Sequence, residues 1–442
     1  MRVTAQGAQV VGPTNRFGEI FTVLEASGAT GLSERGTINI SPDDFNPERI
    51  QIDEDEDIFD VDLPQVDVGA LLTDVTGVVG YGFGNFEVYP TETFGVFEVE
   101  GTSGLEPEVS TLEGEGLSVA SYNVLNLDPN DGDGDADVSE GQFADIATDI
   151  VTNLNAPDIV ALQEIQDNDG SVPPEDSDIV AADVTLQTLI DAIVDAGGPE
   201  YAFIDNPFIG NDTSGGQPGG NIRTAFLYNP ERVSLAGEPQ PGDYDAGAVQ
   251  TVTDPQDQQT NESNPFFGSR LPLVATFTFD GQEVTVISNH FSSKGGSKPL
   301  LGTTQRTVVA DAEPGEGQED PEINGSLDER RDQAVSLKAY VDALLAEDAG
   351  AHIVVAGDFN EFEFISPLQT LETSLVNLTG TLAPDERYSY IFQGNSQSLD
   401  HILVSAALAE GAQFDAVHVN SEFAEQASDH DPLLALLSFP ER

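Results

Sequence analysis

From residue 117 onward, near-continuous apolar runs of strand length alternate with segments of helical period, and this alternation most restricts what the chain can fold into. SVASYNVLNL and DIVALQE read as strands, separated by GQFADIATDIVTNL, where Phe143, Ile146, Ile150 and Leu154 fall at helical spacing. VTLQTLIDAIVDAG puts Val184, Leu186, Leu189, Ile190, Ile193 and Val194 mostly on one helical face. LDERRDQAVSLKAYVDALLAED is a further helix ahead of the strand HIVVAGD. Strands that are apolar on both faces need cover on both, so the pattern predicts sheets overlaid by helices. Residues 1–103 differ. EIFTVLEA and GNFEVYPTETFGVFEVE are short alternating strands punctuated by Gly, Asp and Pro, which predicts a small all-β domain. The polar, aperiodic stretch 104–116 is the candidate linker, leaving 117–442 as the larger domain. The Gly-, Pro- and Glu-bearing segment from Leu300 to Gly325 reads as a surface loop.

Charge sets the next constraint: 79 Asp and Glu face 15 Lys and Arg, a formal net charge of −64. Self-repulsion on that scale opposes compaction in dilute buffer, whereas at molar salt the Debye length falls to roughly 3 Å and the carboxylates become a hydrated, soluble surface. We read a halophile-type surface. An acidic disordered or calcium-loaded chain is the alternative, and 24 Phe with periodic segments argue against it. The absence of cysteine removes disulfides and thiolate metal sites, so any metal must be held by oxygen or imidazole. No run reaches the length of a membrane helix. The opening MRVTAQGAQVVG carries neither the basic nor the apolar part of a signal peptide, which leaves export with an earlier leader or no export.

Polar clusters stand at the ends of the apolar strands: Asn123 in SYNVLN, Glu164 in DIVALQE, His290 in VISNHFSSKGG, Asp358 with Asn360 in VVAGDFN, Asp400 with His401 in SLDHILVS, and Asp429 with His430 in SDHDP. Strand ends are where α/β proteins assemble sites from distant segments. Three of the five histidines fall in these clusters, which favours function over chance placement. Cleaving a phosphodiester needs charge neutralisation at phosphorus, an activated water and a protonated leaving oxygen. Carboxylates and amide oxygens suit Mg²⁺ or Ca²⁺, and imidazoles supply proton transfers. Singly, each signal is weaker: Asn123 alone suits a turn or cap, and Asp358 could simply end a strand. His401, inside an apolar strand, reads as packed rather than catalytic. His352 and His418 carry no assignment.

The ordered series YNVLN, LQE, NHFSSKGG, GDFN, LDHILVS and SDHDP resembles the endonuclease/exonuclease/phosphatase superfamily, in its deoxyribonuclease-I-like branch. The resemblance implies an α+β fold: a four-layer α/β/β/α sandwich as catalytic domain, preceded by a small all-β, OB-like domain. It also implies metal-dependent hydrolysis of DNA, with RNA as a further substrate, using Mg²⁺ or Mn²⁺ and an auxiliary Ca²⁺. By the same resemblance Glu164, Asn123 and Asp429 line the metal site, and Asp358 orients or deprotonates the attacking water. Asn360 holds the phosphate, Asp400 pairs with His430, His430 contacts the scissile phosphate, and His290 is the candidate leaving-group acid. Arg223 in GGNIRTAFLYNPERV and Arg270 in FFGSRLPLVATF resemble family segments in which arginine faces substrate phosphate. Lys294 lies beside the Gly pair of HFSSKGGSK, where backbone amides and a cation can approach a phosphate. In a chain with so few cations, those kept at motifs favour function over ordinary surface charge.

The segment DVTGVVGYGFGNFEVYPTETFGVFEVE resembles the partial OB-type barrel that precedes the catalytic domain in secreted nucleases of the family, which implies an extracellular setting. It has aromatics but few basic residues, so it lacks the broad basic groove of single-strand binders. Two rival readings stand: a phosphatase or phospholipase-type phosphodiesterase of the same fold, and an inactive binding module. NHFSSKGG with Arg270 favours the nuclease over the first, and the intact catalytic identities speak against the second. No obligate protein partner is evident. In the loop DPNDGDGDADVSE, Asp131, Asp133 and Asp135 fit an EF-hand alternation, but Ala136 and Gln142 replace its Gly and closing Glu; a solvated acidic loop is expected over a Ca²⁺ site.

The charge yields a test. The thermal midpoint and the activity are expected to rise with NaCl into the molar range and to fall together as salt is removed. A flat midpoint, with activity highest near zero salt, would show that the acidic surface is not a salt adaptation.

Overall fold

The computed structural model describes residues 1–439 apart from 25–26, 55–58, 60, 83, 98–103, 133–137, 241 and 301–315. Asp133, Asp135 and Ala136 of the acidic loop, and much of the 300–325 segment, therefore lie outside the described residues. Gln142, at the loop's closing position, is buried; its Nε2 donates to the carbonyls of Val124 and Leu125 at 3.0 and 2.9 Å.

The first strands are β1 (Arg2–Ala5), β2 (Ala8–Gly12), β3 (Ile20–Leu24), β4 (Ile50–Ile52), β5 (Val75–Gly82) and β6 (Asn85–Pro90). They pair in the order β1-β5-β6-β4-β3-β2, with β4 and β6 parallel. β1 and β2 are one segment bent at Gly7, whose φ of 61° favours glycine. That segment supplies both ends of the sheet, around a core of Val10, Ile20, Ile52, Val75 and Val88. Residues 104–116 have little regular structure yet are tied to the larger domain, where the Ser110 hydroxyl donates to Asp415 at 2.6 Å.

The larger domain holds two packed sheets. β7 (Leu117–Leu127), β8 (Ile159–Ile165), β9 (Ala202–Ile204) and β10 (Arg223–Tyr228) join β20 (Gln413–Ala416) and β21 (Leu433–Leu437) in the order β20-β21-β7-β8-β10-β9. The second sheet contains β11 (Ser234–Leu235), β12 (Val249–Thr251), β13 (Leu273–Phe279), β14 (Gln282–His290), β15 (Ile353–Asp358), β16 (Val376–Asn377) and β19 (Asp400–Val404). Its order is β11-β13-β14-β15-β19-β16, with β12 paired to β13. A separate hairpin joins β17 (Tyr390–Phe392) to β18 (Asn395–Gln397). α1 (Gln142–Thr148) and α2 (Asp183–Asp195) cover the first sheet, and α4 (Leu327–Glu347) and α5 (Ser366–Glu372) the second. A short α3 (Pro255–Thr260), capped by Asp254, precedes β13.

Alternation along the strands fixes the four layers. Val119, Ala161, Val286, Val354, Ala356 and Ile402 meet between the sheets. Their neighbours Ala120, Val160 and Leu162 face α1 and α2, while Ile287, Val355 and Leu403 face α4 and α5. On α2, Leu186, Leu189, Ile190 and Ile193 are buried, but Val184 and Val194 are exposed. Steps of 100° per residue carry Val184 to the opposite side of the helix and Val194 to its flank. Among the described residues no helix is long and apolar enough to cross a membrane.

One buried ion cluster ties the site's loops to α4. Glu361 meets Arg330 at 3.0 Å and Lys294 at 2.7 Å, and accepts from Asn324 at 2.8 Å. Burial would raise the Glu361 pKa, but Lys294 and Arg330 outweigh it and lower it. A depressed carboxylate contributes stability above its unfolded pKa and loses it as pH falls through the folded value. Glu361→Gln strands two buried cations and is expected to cost about 3–5 kcal/mol in denaturant unfolding at pH 7. That deficit should shrink as the wild type is taken into the acid range.

Candidate active site

The site grows from strand register. His290 on β14 pairs with Asp358 on β15, and Asp358 with Asp400 on β19, so three functional groups stand in one row. Two residues back along the strands, Ser288, Ala356 and Ile402 share the inner face. The inter-sheet core therefore turns polar where these strands end.

The opposite wall comes from β7 and β8. Strict alternation would send Glu164 outward with Val160 and Leu162, yet its φ of 62° breaks the pleat. A non-glycine residue held left-handed is strained by roughly 1–3 kcal/mol, and such strain clusters at functional sites. Here it aims the carboxylate inward: His290 Nε2 lies 3.7 Å from Glu164 and 3.5 Å from Asp358. Asn123 Nδ2 donates to Glu164 at 3.1 Å and to Asp358 at 3.3 Å, while its Oδ1 accepts the Leu125 N–H. Asn123 thus stands between the two carboxylates, bonded to both. Asn360, left-handed at φ 49°, donates to Asp358 at 3.0 Å and to the Phe291 carbonyl at 3.2 Å.

His430 completes the cluster. Its Nδ1 is 2.7 Å from Asp400, and its Nε2 is 3.9 Å from Asp358 and 4.0 Å from Asp429. Burial would lower the His430 pKa, but Asp400 and Asp358 raise it well above the usual value. His290 goes the other way, lowered by burial and by the charges of Arg270 and His430. The surroundings of the row thus favour the charged form of His430 and the neutral form of His290. Burial pushes Asp358 up to about 7, opposed by His430 and reinforced by Asp400 and Glu164. Glu164 is raised by burial and then by Asp429.

The expected phosphate-binding cations divide. Arg270 reaches the site: it donates to the Phe291 carbonyl at 2.6 Å, and Glu164 and Asp358 act on its charge. Its Nε and the His290 Nδ1 are buried without a hydrogen-bond partner among the described residues. Arg223 does not reach it. It shares the outward parity of Ala225 and Leu227 and pairs with Asp205 at 3.1 Å. Lys294 is held by Glu361 over the Phe362 ring, 4.1 Å from its centroid. Arg223 and Lys294 are thus each paired with a carboxylate outside the catalytic row.

Other residues enter that the motifs did not flag. The Ser389 hydroxyl donates to Asp400 at 2.7 Å, and the Tyr390 ring lies 4.8 Å from that of His430. Asp431 accepts the N–H groups of Val419, Asn420 and Ser421 and meets His418 Nδ1 at 3.1 Å, fixing the loop ahead of His430. His401 is enclosed, with Nε2 3.0 Å from the Glu361 carbonyl, and burial lowers it to about 4. His352 lies edge-on to Phe439 at 4.8 Å.

Two groups of ligand atoms gather within 4.8 Å among the described residues: Glu164, His290 and Asp358, and Asp358, Asp400 and His430. A four-layer sandwich with carboxylates and imidazoles at its joined strand ends defines a hydrolase-type protein. Residues 120–430 match the model of the Endonuclease/Exonuclease/phosphatase family, and the chain belongs to that family. Residues 1–100 match a model described as Domain of unknown function (DUF8508). The comparison with curated proteins gave no match. Solved structures similar to this chain include the human Nocturnin catalytic domain with bound sulfate anion, 15% identical over 74% of this chain and 95% of that one, with a TM-score of 0.46. The Bacteroides thetaiotaomicron mannosyl-6-phosphatase Bt3783 is 16% identical over 73% and 100%, at 0.44. D. rerio TDP2 complexed with single strand DNA product is 16% identical over 74% and 100%, at 0.43.

The raised His430 pKa makes a linkage test. Its stabilisation is present below the unfolded value and lost as pH rises through the folded one. Asp400→Asn is expected to bring the His430 titration, followed by ring-proton NMR, down by about one to three units. An unmoved titration would separate the two residues.

Proposed function

We propose that this chain is a metal-dependent nuclease that hydrolyses phosphodiester bonds of DNA, and of RNA as a further substrate, by in-line attack of an activated water. The observation that carries the reading is the strand-end row in which Asp358 stands between His290 and the Asp400–His430 pair, facing Glu164 across the two sheets. The donor chemistry fits a hard divalent ion. Glu164, Asp358 and the partly exposed Asp429 are oxygen donors at one end of the cleft, and burial with mutual repulsion raises Glu164 and Asp358 in a way a cation would relieve. Glu164 and Asp429 would hold Mg²⁺ or Mn²⁺, which supplies Lewis-acid neutralisation of the phosphate.

The remaining work falls to side chains of the chain itself. Asp358 accepts the proton of the attacking water, its carboxylate held in place by the amides of Asn123 and Asn360. Asn360 fixes the Asp358 carboxylate, and Arg270, with its unpartnered Nε, presents charge to a phosphate oxygen. The His430 imidazolium, held by Asp400, contacts the phosphate and supplies the leaving-group proton, while His290 stands beside Asp358. The net charge supports work at high salt, and an extracellular setting rests on the resemblance of the N-terminal segment. The strand order of that segment, with a shared first strand and β4 parallel to β6, supports an OB-like barrel.

Digestion of supercoiled plasmid, linear duplex and RNA with Mg²⁺, Mn²⁺, Ca²⁺ or EDTA, at low and high NaCl, tests the reading. EDTA should stop cleavage, and Glu164→Gln should abolish it while leaving the unfolding midpoint close to wild type. Cleavage in EDTA, or a fully active Glu164→Gln enzyme, would end the metal assignment. Release of phosphate from monoesters with plasmid untouched would replace the nuclease with a phosphatase.

A further inference from the structure

The catalytic row continues outward as a row of rings. Tyr390 lies 4.8 Å from His430, tilted 38°, and Phe392, two residues along the same face of β17, lies 6.4 Å beyond at an interplanar angle of 12°. Tyr390 is half-buried, whereas Phe392 is 48% exposed, so the row opens from the chemistry toward solvent.

The turn after Phe392 is covered by the N-terminal module. The Ile40 N–H donates to the Ser396 carbonyl at 3.1 Å, the Ser396 N–H to Ile38 at 2.9 Å, and Asn46 Nδ2 to Asn395 Oδ1 at 2.8 Å. Arg49 donates to the Gln393 carbonyl and, at 2.7 Å, to that of Leu300. A Cβ on Gly394, whose φ is 72°, would come within 2.5 Å of Phe21 Cβ, and one on Gly12 within 2.8 Å of Gly394 Cα. β2 and β3 therefore sit directly on the hairpin turn.

The loop joining β2 to β3 is preformed: Asn15 Oδ1 accepts the N–H groups of Phe17 and Glu19 at 2.9 and 3.0 Å. It carries Phe17, 65% exposed, with the Arg16 guanidinium 4.8 Å above its ring. At its start Gly12 packs against Gly394, which sets this loop beside the hairpin turn that follows Phe392. Single exposed aromatics are common. Here Phe17 stands beside a guanidinium on a preformed loop, and Phe392 stands in line with His430 on the hairpin which that module covers.

We propose that Phe392, Phe17 and Arg16 form an outer subsite that stacks a base of unpaired nucleic acid and holds the phosphate beside it, next to the phosphodiester being cleaved. The inference rests on the nuclease reading and deepens it. Every base has a π-face, so stacking with one local cation supplies affinity without the broad basic groove this chain lacks. Base stacking also persists at salt concentrations that screen long-range phosphate attraction.

The test compares short oligothymidylate with an equally long strand of stable abasic residues, in Mg²⁺ or Mn²⁺ at molar NaCl. The wild type should show a KM about tenfold or more lower for oligothymidylate. Phe392→Ala, and Arg16→Ala combined with Phe17→Ala, should raise that KM toward the abasic value with kcat within about twofold, because uniform binding is what is lost. Kinetics on the abasic strand should stay unchanged in Phe392→Ala. A wild type indifferent to bases, or variants that keep the discrimination, would overturn the subsite while leaving the nuclease intact. A wild type that cleaves neither strand overturns the nuclease reading, and the subsite with it.

Discussion

Four carboxylates, Glu164, Asp358, Asp400 and Asp429, converge at the end of an apolar inter-sheet core, and the rest of the site answers their mutual repulsion. A buried carboxylate is tolerated when it is paired, hydrogen-bonded or protonated. Asp400 takes the His430 imidazolium and the Ser389 hydroxyl, Asp358 takes amide donors from Asn123 and Asn360 and moves toward neutrality, and Asp429 stays partly in water. Glu164 receives the Asn126 N–H and the Asn123 amide and remains destabilised, which is the condition a divalent cation would relieve.

The architecture was legible because its determinants are local. Period-2 alternation with apolar residues on both faces dictates a covered sheet, and helical spacing in GQFADIATDIVTNL and VTLQTLIDAIVDAG supplies the cover. That His290, Asp358 and Asp400 share a row follows from register, which strand ends suggest but only pairing fixes. The left-handed turn at Glu164 left no mark in the sequence, since glutamate is an unusual residue to hold there. The parity of Arg223 with Ala225 and Leu227 was present in the sequence and pointed away from the site. Lys294 was not legible: its partner Glu361 lies 67 residues away, and motif proximity competes poorly with a buried carboxylate at 2.7 Å. Ser389 and Tyr390 went unseen because they sit on a short hairpin with no apolar run to announce a strand end.

The same electrostatics separate surface from interior. Much of the net charge of −64 is solvated carboxylate, individually weak and screened by salt. Several of the few cations have buried or part-buried posts: Arg330 and Lys294 on Glu361, Arg223 on Asp205, and Arg35 on Glu422. Salt scarcely screens such pairs, so they can hold specific contacts under conditions that neutralise the surface. A chain with this surface cannot attract a polyanion from a distance. On the proposed function, it would recognise phosphate through contacts made after arrival, from Arg270 and from an ion held by Glu164 and Asp429.

That requirement gives the N-terminal module a physical role beyond packing. Asp400 orients His430, Ser389 steadies Asp400, and Ser389 leads into the hairpin whose other strand bonds to Ile38 and Ile40. Arg35 of the module also reaches Glu422, whose neighbour Ser421 is held by Asp431 beside His430. Two separate contacts from the module thus end one or two side chains from the His430 imidazole. Displacing the module would free both the hairpin and the 418–422 loop, and the Asp400–His430 distance of 2.7 Å would lose its supports on either side. The sequence divides the chain into two folding units, but the geometry of the acid–imidazole pair depends on both.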